Sequence, residues 1–418
     1  MIKKTLLLAF AIFTLNSGFS QNKIERNIEI ADAYFEVSAY FYSIQYYSKA
    51  YEIQPNTQLA KKNAYLNLLL RKYPEAEYWY RKIETSSFID DSTLLHFAKV
   101  LTCLGKYEEA KQVYNQYIKV MPENDSIGSV NIAWCDTATR WIARPLPYDI
   151  ENASTLNTKY SEICPILNGD NIYFSSSRVE NEYQEIDPMT GEGYYKILIS
   201  KMTDSNKLPA KRFFKNSGDY HEIISMFNST SDTLYYAKSA VVKSDEGKLE
   251  SKLRIYRAAI KNGVCGRSER FVLNDSIYSF AQSAISTDGR MFIFSSDMPG
   301  GFGKNDLYVS FRIDTTWTKP INLGETINTS GDEIYPFFHD DGTLYFSSDG
   351  MHGMGGFDLF SASLVDGEWT AVTNLKSPIN SSADDFCLYL NYNKTRGFFS
   401  SNRQGGKGAD DIYQFILR

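Results

Sequence analysis

From residue 24 to about 142 the apolar positions follow a helical spacing, and from 145 onward they alternate as they do in strands. In the helical stretch Tyr47, Tyr80 and Tyr114 recur at intervals of 33 and 34 residues, and the small residues Ser43, Ala76 and Ala110 stand four positions before them. Pro55 and Pro122 end the first and third units. The clearest unit is Leu101–Tyr114 (LTCLGKYEEAKQVY), where Gly105 breaks one helix and Ala110 lets the next approach closely. The pattern predicts three helical hairpins. It also predicts a further helix over Ser129–Ile142 (SVNIAWCDTATRWI), covering the apolar face that the last hairpin would otherwise expose. Tyr80, Ala110 and Tyr114 are therefore read as structural repeat positions.

Arg144-Pro-Leu-Pro147 ends the helical pattern and marks a boundary. Beyond it five segments align: Asn171–Ser176, Thr233–Lys238, Arg290–Ser296, Thr343–Ser348 and Arg396–Ser401. Their anchor aromatics Phe174, Tyr236, Phe294, Phe346 and Phe399 lie 62, 58, 52 and 53 residues apart. Each segment follows an apolar strand and a turn, clearest at Asp288-Gly289 and Asp341-Gly342, where glycine supplies a positive φ without steric penalty. Glycine-rich loops come next and lead into a third strand that opens at Asp306, Asp358 or Asp411. A fourth strand follows, as at Trp317–Gly324 and Trp369–Leu375. Four strands per unit arranged in a ring make a β-propeller. The last unit stops at Arg418 after its third strand, and Leu146–Leu156 reads as an orphan fourth strand that would close the ring without an exposed edge. Five blades follow, or six if the insertion Val179–Tyr194 holds a degenerate unit. The fold class is thus a multidomain α + β chain: an N-terminal α-solenoid over 24–142 and an all-β propeller over 145–418.

Lys3-Lys4, the apolar run Leu6–Phe13 and Gly18-Phe19-Ser20 have the three regions of a secretory leader, so residues 1–20 are expected to be removed and the rest exported. The run is shorter than the roughly 20 apolar residues needed to span a bilayer, and no later segment is apolar enough. Composition agrees with a folded chain: 43% hydrophobic and 22% charged, with a formal net charge of −6. A mildly acidic surface offers no footprint for nucleic acid or anionic lipid. The five cysteines, Cys103, Cys135, Cys164, Cys265 and Cys387, form no CxxC and no small disulfide framework. Cys164 and Cys387 occupy matching places in the first and last units, which ring closure makes neighbours. Two free thiols are nonetheless the expectation, because inner strands of adjacent blades generally lie beyond the roughly 4.4–6.8 Å Cα window of a disulfide.

The helical unit quoted above resembles the tetratricopeptide repeat. The Phe-Ser-Ser…Gly-Gly…Asp-Ile/Leu-Tyr signature resembles the WD40-like repeats of TolB-type propellers. Together with the Trp- and Cys-bearing last helix, the order of these parts resembles one family of Bacteroidota envelope proteins, some of them accessory to type IX secretion. Members of that family typically continue into an OmpA-like module that grips peptidoglycan. This sequence ends with the propeller, so peptidoglycan anchoring is not part of the expectation. The resemblance implies assembly with envelope proteins at the periplasmic side, peripheral to the outer membrane, without naming one.

Catalysis finds little support. The four histidines, His96, His221, His339 and His352, sit in no HExxH or other metal-ligand spacing, and no GxSxG occurs. His352 falls in a glycine-rich loop and is expected to be solvated, and His221 and His339 flank strand starts as surface residues. Asp306, Asp358 and Asp411 share one repeat position. Carboxylates there could serve calcium, but repetition favours a structural role in which each accepts N–H bonds from its glycine loop. No cofactor or metal is expected. The residues after each Ser-Ser vary among blades, and Arg178, Asp297, Asp349 and Arg403 are the candidate partner-binding positions, since binding sites are commonly built on loops of a rigid scaffold. The sequence therefore reads as a non-enzymatic scaffold for envelope proteins. The alternative is a propeller that binds peptidoglycan fragments or glycans, with Arg178 or Arg403 and aromatics lining its pocket.

Overall fold

The computed structural model describes residues 23–84, 90–179, 184–202, 209–214, 218–243, 249–261, 264–273 and 277–418; the leader expected over residues 1–20 lies outside them. The chain divides into two compact units, Met1–Val130 with Ile186–Glu192, and Asn131–Glu185 with Gly193–Arg418. No helix among the described residues is long and apolar enough to cross a membrane.

The first unit is built from α1 (Lys23–Glu36), α2 (Tyr40–Ile53), α3 (Thr57–Leu69), α4 (Tyr73–Glu84), α5 (Asp91–Cys103) and α6 (Tyr107–Val120), followed by α7 (Asp125–Ala143), whose residues from Asn131 belong to the second unit. The three hairpins turn in the same way. Ser38, Arg71 and Gly105 all adopt left-handed φ values of 55°, 55° and 71°, at the same 33- and 34-residue intervals as the tyrosines. After each, the chain closes the helix end with one long backbone bond, Ala39 N to Tyr34 O, Lys72 N to Asn67 O and Lys106 N to Leu101 O, all 2.9 Å. Ser43, Ala76 and Ala110 are fully buried, and Tyr47, Tyr80 and Tyr114 are nearly so. Small residues at the crossings let the aromatic rings fill the space between helices. Ile186–Glu192 forms a turn of this unit, in which Asp187 accepts from Met189 N and Thr190 Oγ1, and Phe41 N donates to Pro188 O and Met189 O.

The second unit is a ring of five antiparallel sheets. Blade I holds β2 (Glu162–Asn168), β3 (Asn171–Ser176), β4 (Lys196–Lys201) and β5 (Lys211–Arg212). Blade II holds β6 (Glu222–Phe227), β7 (Thr233–Lys243), β8 (Leu249–Lys261) and β9 (Val264–Arg270). Blade III holds β10 (Phe280–Ile285), β11 (Met291–Ser296) and β12 (Asp306–Ile313), with β13 (Thr316–Trp317) and β14 (Ile321–Asn322) both on β12. Blade IV repeats that plan with β15 (Glu333–Phe338), β16 (Thr343–Ser348), β17 (Asp358–Val365), β18 (Glu368–Trp369) and β19 (Thr373–Asn374). The fourth strand expected as one run is thus two short pieces in blades III and IV; in blade III Pro320, which has no N–H to give, falls at the break.

Blade V contains β20 (Asp385–Leu390), β21 (Arg396–Ser401) and β22 (Asp411–Leu417), and its outer strand is β1 (Tyr148–Asn152). Tyr148 pairs with Leu417 and Asn152 with Tyr413, so the strand before blade I completes blade V, as the repeat count predicts. The anchor residues Phe174, Phe294, Phe346 and Phe399 are fully buried, with Tyr236 nearly so. Each buried ring is worth about 2–3 kcal/mol of transfer free energy. Apolar clusters fill every gap between blades, for example Ile293, Leu307, Leu344 and Phe346 between III and IV, and Phe174, Leu198, Phe398 and Ile412 at the closing seam.

Two expectations are corrected. Cys164 and Cys387 are joined by a disulfide, with Cα atoms 4.9 Å apart. Both sit at a β-bulge in an innermost strand, with φ of 56° and 54°, and such a bulge re-aims a side chain away from the ordinary pleat. Cys103, Cys135 and Cys265 are in no disulfide. His339 is no surface residue: it is 4% exposed, with its ring nitrogens on Asp341 Oδ1 (2.9 Å) and Asn391 O (3.2 Å). His352 is exposed as expected, and its ring also stacks on Trp134 of α7 at 5.3 Å.

Two stability predictions follow from this geometry. Ser38→Gly removes a side chain from a left-handed position and should stabilise the helical unit by about 1 kcal/mol, read as a higher urea midpoint. Asn157→Ala should destabilise the ring by about 1–3 kcal/mol, because Asn157 Oδ1 is the acceptor for the buried Ile412 N–H (2.9 Å) and its amide donates to Ile412 O (2.8 Å). An unchanged midpoint for Asn157→Ala would mean that the seam does not depend on this clamp.

Candidate functional site

The loops that leave the second strand of each blade and enter the third share one end of the ring with the starts of the innermost strands. Glu162, Glu222, Phe280, Glu333 and Asp385 open those innermost strands, and all are buried. Glu162 accepts from Ser176 Oγ (2.6 Å), Thr158 N (2.6 Å) and Thr158 Oγ1 (2.9 Å). Glu333 repeats this with Ser348 Oγ (2.6 Å), Thr329 N (2.7 Å) and Thr329 Oγ1 (2.6 Å). Asp385 accepts from Ser381 N (2.6 Å) and Ser381 Oγ (2.8 Å). Burial raises the pKa of Glu162 and Glu333 above the usual carboxylate range, against the pull of these donors. The sequence reading missed these acids. Their signal was present as Asn157-Thr158-x3-Glu162, Asn328-Thr329-x3-Glu333 and Asn380-Ser381-x3-Asp385.

The repeated aspartates take the structural arrangement. Asp306 accepts from Phe302 N (2.6 Å), Gly303 N (3.1 Å) and Asn322 Nδ2 (2.8 Å). Asp358 accepts from Met354 N, Gly355 N and Asn374 Nδ2. Asp411 accepts from Lys407 N, Gly408 N and, across the closing seam, Asn152 Nδ2 (2.7 Å). The glycines are required by close approach: a Cβ on Gly301 or Gly353 would lie 2.1 Å from the carboxylate it faces. Blades I and II invert the charge at this position. Lys196 donates to Gly218 O (2.5 Å) and Tyr220 O (2.6 Å), and burial lowers its pKa to about 8. Arg254, 1% exposed, donates to Leu253 O (2.8 Å) and to Tyr278 O.

The four candidate partner-binding residues all have partners nearby in the ring. Arg178 donates from Nε to Ser176 Oγ (2.8 Å) and from Nη2 to Leu156 O (2.9 Å) and Glu162 Oε1 (3.1 Å), with its guanidinium over Phe174. Arg403 donates to Ser401 Oγ, Pro378 O, Ile379 O and Asp385, between Phe399 and Tyr413. Asp297 accepts from Ser279 N and Lys252 Nζ (2.9 Å), and Asp349 accepts from Asp332 N (2.9 Å). The position after the second strand's Ser-Ser, or after Ala237-Lys238 in blade II, does the same thing in every blade: Ser177, Ser239, Asp297, Asp349 and Asn402 each accept the N–H of the residue before the innermost strand. Its chemical variety hides a common geometric task. The structure therefore brings Arg178 to Glu162 and Arg403 to Asp385, within blades I and V, and does not bring the four together in one pocket.

No set of three or more His, Cys, Asp or Glu side chains is disposed to hold a metal among the described residues. A separate open cleft of about 460 Å³ lies at the other end of blades III and IV, with Met291, Phe311 and Phe338 as apolar walls and Asp288, Arg290 and Asp340 around them.

A scan against protein-family models finds no match, and neither does a search of curated proteins. Among solved structures, a protein of unknown function from Dyadobacter fermentans is similar over 66% of this chain and 99% of its own, at 11% identity and a TM-score of 0.39. An α-L-arabinofuranosidase from Podospora anserina is similar over 64% of this chain and 92% of its own, at 10% identity and a TM-score of 0.37. A TolB-like protein from Agrobacterium tumefaciens is similar over 65% and 98%, at 12% identity and a TM-score of 0.30. No functional argument rests on likenesses at this level.

Asp358 gives the loop end a pH signature. Burial, with the neighbouring Asp385 charge second, raises its pKa to about 7. A carboxyl raised on folding stabilises the fold below its unfolded pKa, near 4, and loses that contribution as pH rises through 7. The urea midpoint of the wild type should therefore fall between pH 5 and 8, and Asp358→Asn should flatten that fall. A slope unaltered by the substitution would place the titration elsewhere.

Proposed function

We propose that the protein is a non-enzymatic, exported scaffold of the cell envelope, in which the helical hairpins and the loop end of the propeller each engage a protein partner. The observation that carries the reading is the internal use of Glu162, Glu333, Asp385, Arg178 and Arg403 at the loop end. The buried carboxylates Glu162, Glu333 and Asp385 each accept two or more hydrogen bonds from their own blade and its flanking turns, and Arg178 and Arg403 are turned onto those carboxylates and onto backbone carbonyls. A catalytic acid or nucleophile needs a reacting atom within reach of a free group, and saturation by neighbours works against that. In this reading Arg178, Asp297, Asp349 and Arg403 hold the loops in shape, and the tips present the recognition surface. Phe302, 49% exposed, is an apolar tip on the loop that enters β12. The disulfide supports export, since such bonds persist in oxidising compartments. Glycan binding through Arg178 or Arg403 is the weaker alternative, because neither guanidinium is free to grip a sugar.

The test is site-specific photocrosslinking in intact cells that naturally make the protein. A photoreactive side chain at Phe302 should trap a discrete protein adduct, whereas one at Tyr392, 77% exposed in the β20–β21 turn at the opposite end, should not. Adducts at neither position, or equal labelling at both, would reject the loop end as the recognition surface. Cosedimentation of the purified chain with sacculi would favour the glycan alternative instead.

A further inference from the structure

A propeller ring is weakest where its two chain ends meet. Here that seam lies between blades V and I, and it is fixed at both radial ends by different chemistry. On the outside, β1 pairs with β22 over five residues, and Asn152 and Asn157 reach Asp411 and Ile412. On the inside, the innermost strands β2 and β20 are joined through Cys164 and Cys387, 223 residues apart in sequence. Both cysteines lie in a buried cluster with Ile163, Ile223, Ile224 and Phe386, drawn from the inner strands of blades I, II and V. In blade IV the corresponding bulge residue is Tyr335, also left-handed at φ 54°, and its ring meets Phe386 at 5.2 Å. An apolar contact thus links IV to V where a covalent bond links V to I.

We propose that the Cys164–Cys387 bond is a redox-operated latch on the propeller seam. Oxidised, it pins the inner strand of blade I to that of blade V and removes conformational freedom from a very long loop in any opened state. Reduced, the seam depends on β1 and its side-chain clamps, and blade V becomes the first part of the ring to open. The step balances as ordinary thiol–disulfide exchange: a dithiol attacks one sulfur, the Cys164–Cys387 bond breaks, each cysteine leaves as a protonated thiol, and the reductant becomes a cyclic disulfide. The inference rests on the export reading only for the persistence of the bond in the cell, so the experiment uses purified chain, in which the two can fail separately.

Maleimide labelling of the urea-unfolded mature chain, which retains all five cysteines, should modify three without reductant and all five after dithiothreitol. Hydrogen exchange followed by mass spectrometry should then show β1 and β22 amides exchanging about tenfold faster or more after reduction, with α1–α6 and blade III unchanged. The melting temperature of the propeller should drop by roughly 10 °C on reduction. The double variant Cys164→Ser/Cys387→Ser should match the reduced wild type and ignore dithiothreitol. If it fails to fold, the reduced wild type still decides the matter. Five reactive thiols before reduction, or unchanged β1 and β22 protection after it, would overturn the proposal.

Discussion

Every blade but one is tied to the blade before it by the same backbone hydrogen bond, and the rest of the propeller is arranged to aim it. The N–H of the residue opening an innermost strand donates to the carbonyl just before the third strand of the preceding blade. The bonds are Glu222 N to Tyr195 O, Glu333 N to Asn305 O, Asp385 N to Phe357 O and, across the seam, Glu162 N to Asp410 O, at 2.7–2.8 Å. A buried donor without a partner costs about 1–3 kcal/mol, so each such bond makes correct docking of neighbours strongly preferred over near misses. The side chain of the same residue completes the device. In Glu162, Glu333 and Asp385 the carboxylate gathers the hydroxyl and N–H of the incoming connection, fixing the approach of the strand whose backbone then reaches across. Phe280 opens the inner strand of blade III and has no carboxylate to do this. There Arg254 reaches from blade II to Tyr278 O, and Lys252 reaches to Asp297.

The charge inversion in blade II follows from the same need. An aspartate at the head of the third strand satisfies N–H groups of its own glycine loop, which curls back over it. Blade II has no such loop, since β7 and β8 run on as a hairpin paired from Thr233 with Ala259 to Lys243 with Leu249. Without loop N–H groups to receive, a carboxylate there would be buried and unpaired. A cation that collects carbonyls from the following connection is the workable substitute, and Lys196 and Arg254 do this in adjacent blades. Burial lowers the pKa of Lys196, and the nearby Glu222 charge acts against that shift.

Much of this architecture is legible in the sequence because repetition makes weak signals add. The 33- and 34-residue spacing of Tyr47, Tyr80 and Tyr114 marks the helical hairpins, and the anchors from Phe174 to Phe399 mark the blades. What escapes is what repeats in geometry and not in residue type. Only Gly105 declares its left-handed turn, although Ser38 and Arg71 make the same one. The position after Ser-Ser is Ser, Asp or Asn, and this variety suggested recognition where the structure shows one shared N–H acceptor. Cys164 and Cys387 were placed correctly as neighbours, but the bulge that brings their Cα atoms to 4.9 Å is a local departure from strand pairing that no residue type announces.

These observations separate scaffold from function more sharply than the fold does alone. A propeller can carry catalytic carboxylates at the end of its inner strands, and this one has acidic side chains in four blades at that place. Their use is what differs. Glu162, Glu333 and Asp385 are each held by hydroxyl and N–H donors, and a guanidinium covers two of the three. Arg178 and Arg403 accompany Glu162 and Asp385, whose blades meet at the seam, and each also holds the carbonyls of the connection leading into its strand. The strongest polar networks therefore concentrate where the ring is closed by a separate strand, which is where a continuous chain does least to keep neighbouring blades together. The polar chemistry of the loop end thus works to hold the ring shut.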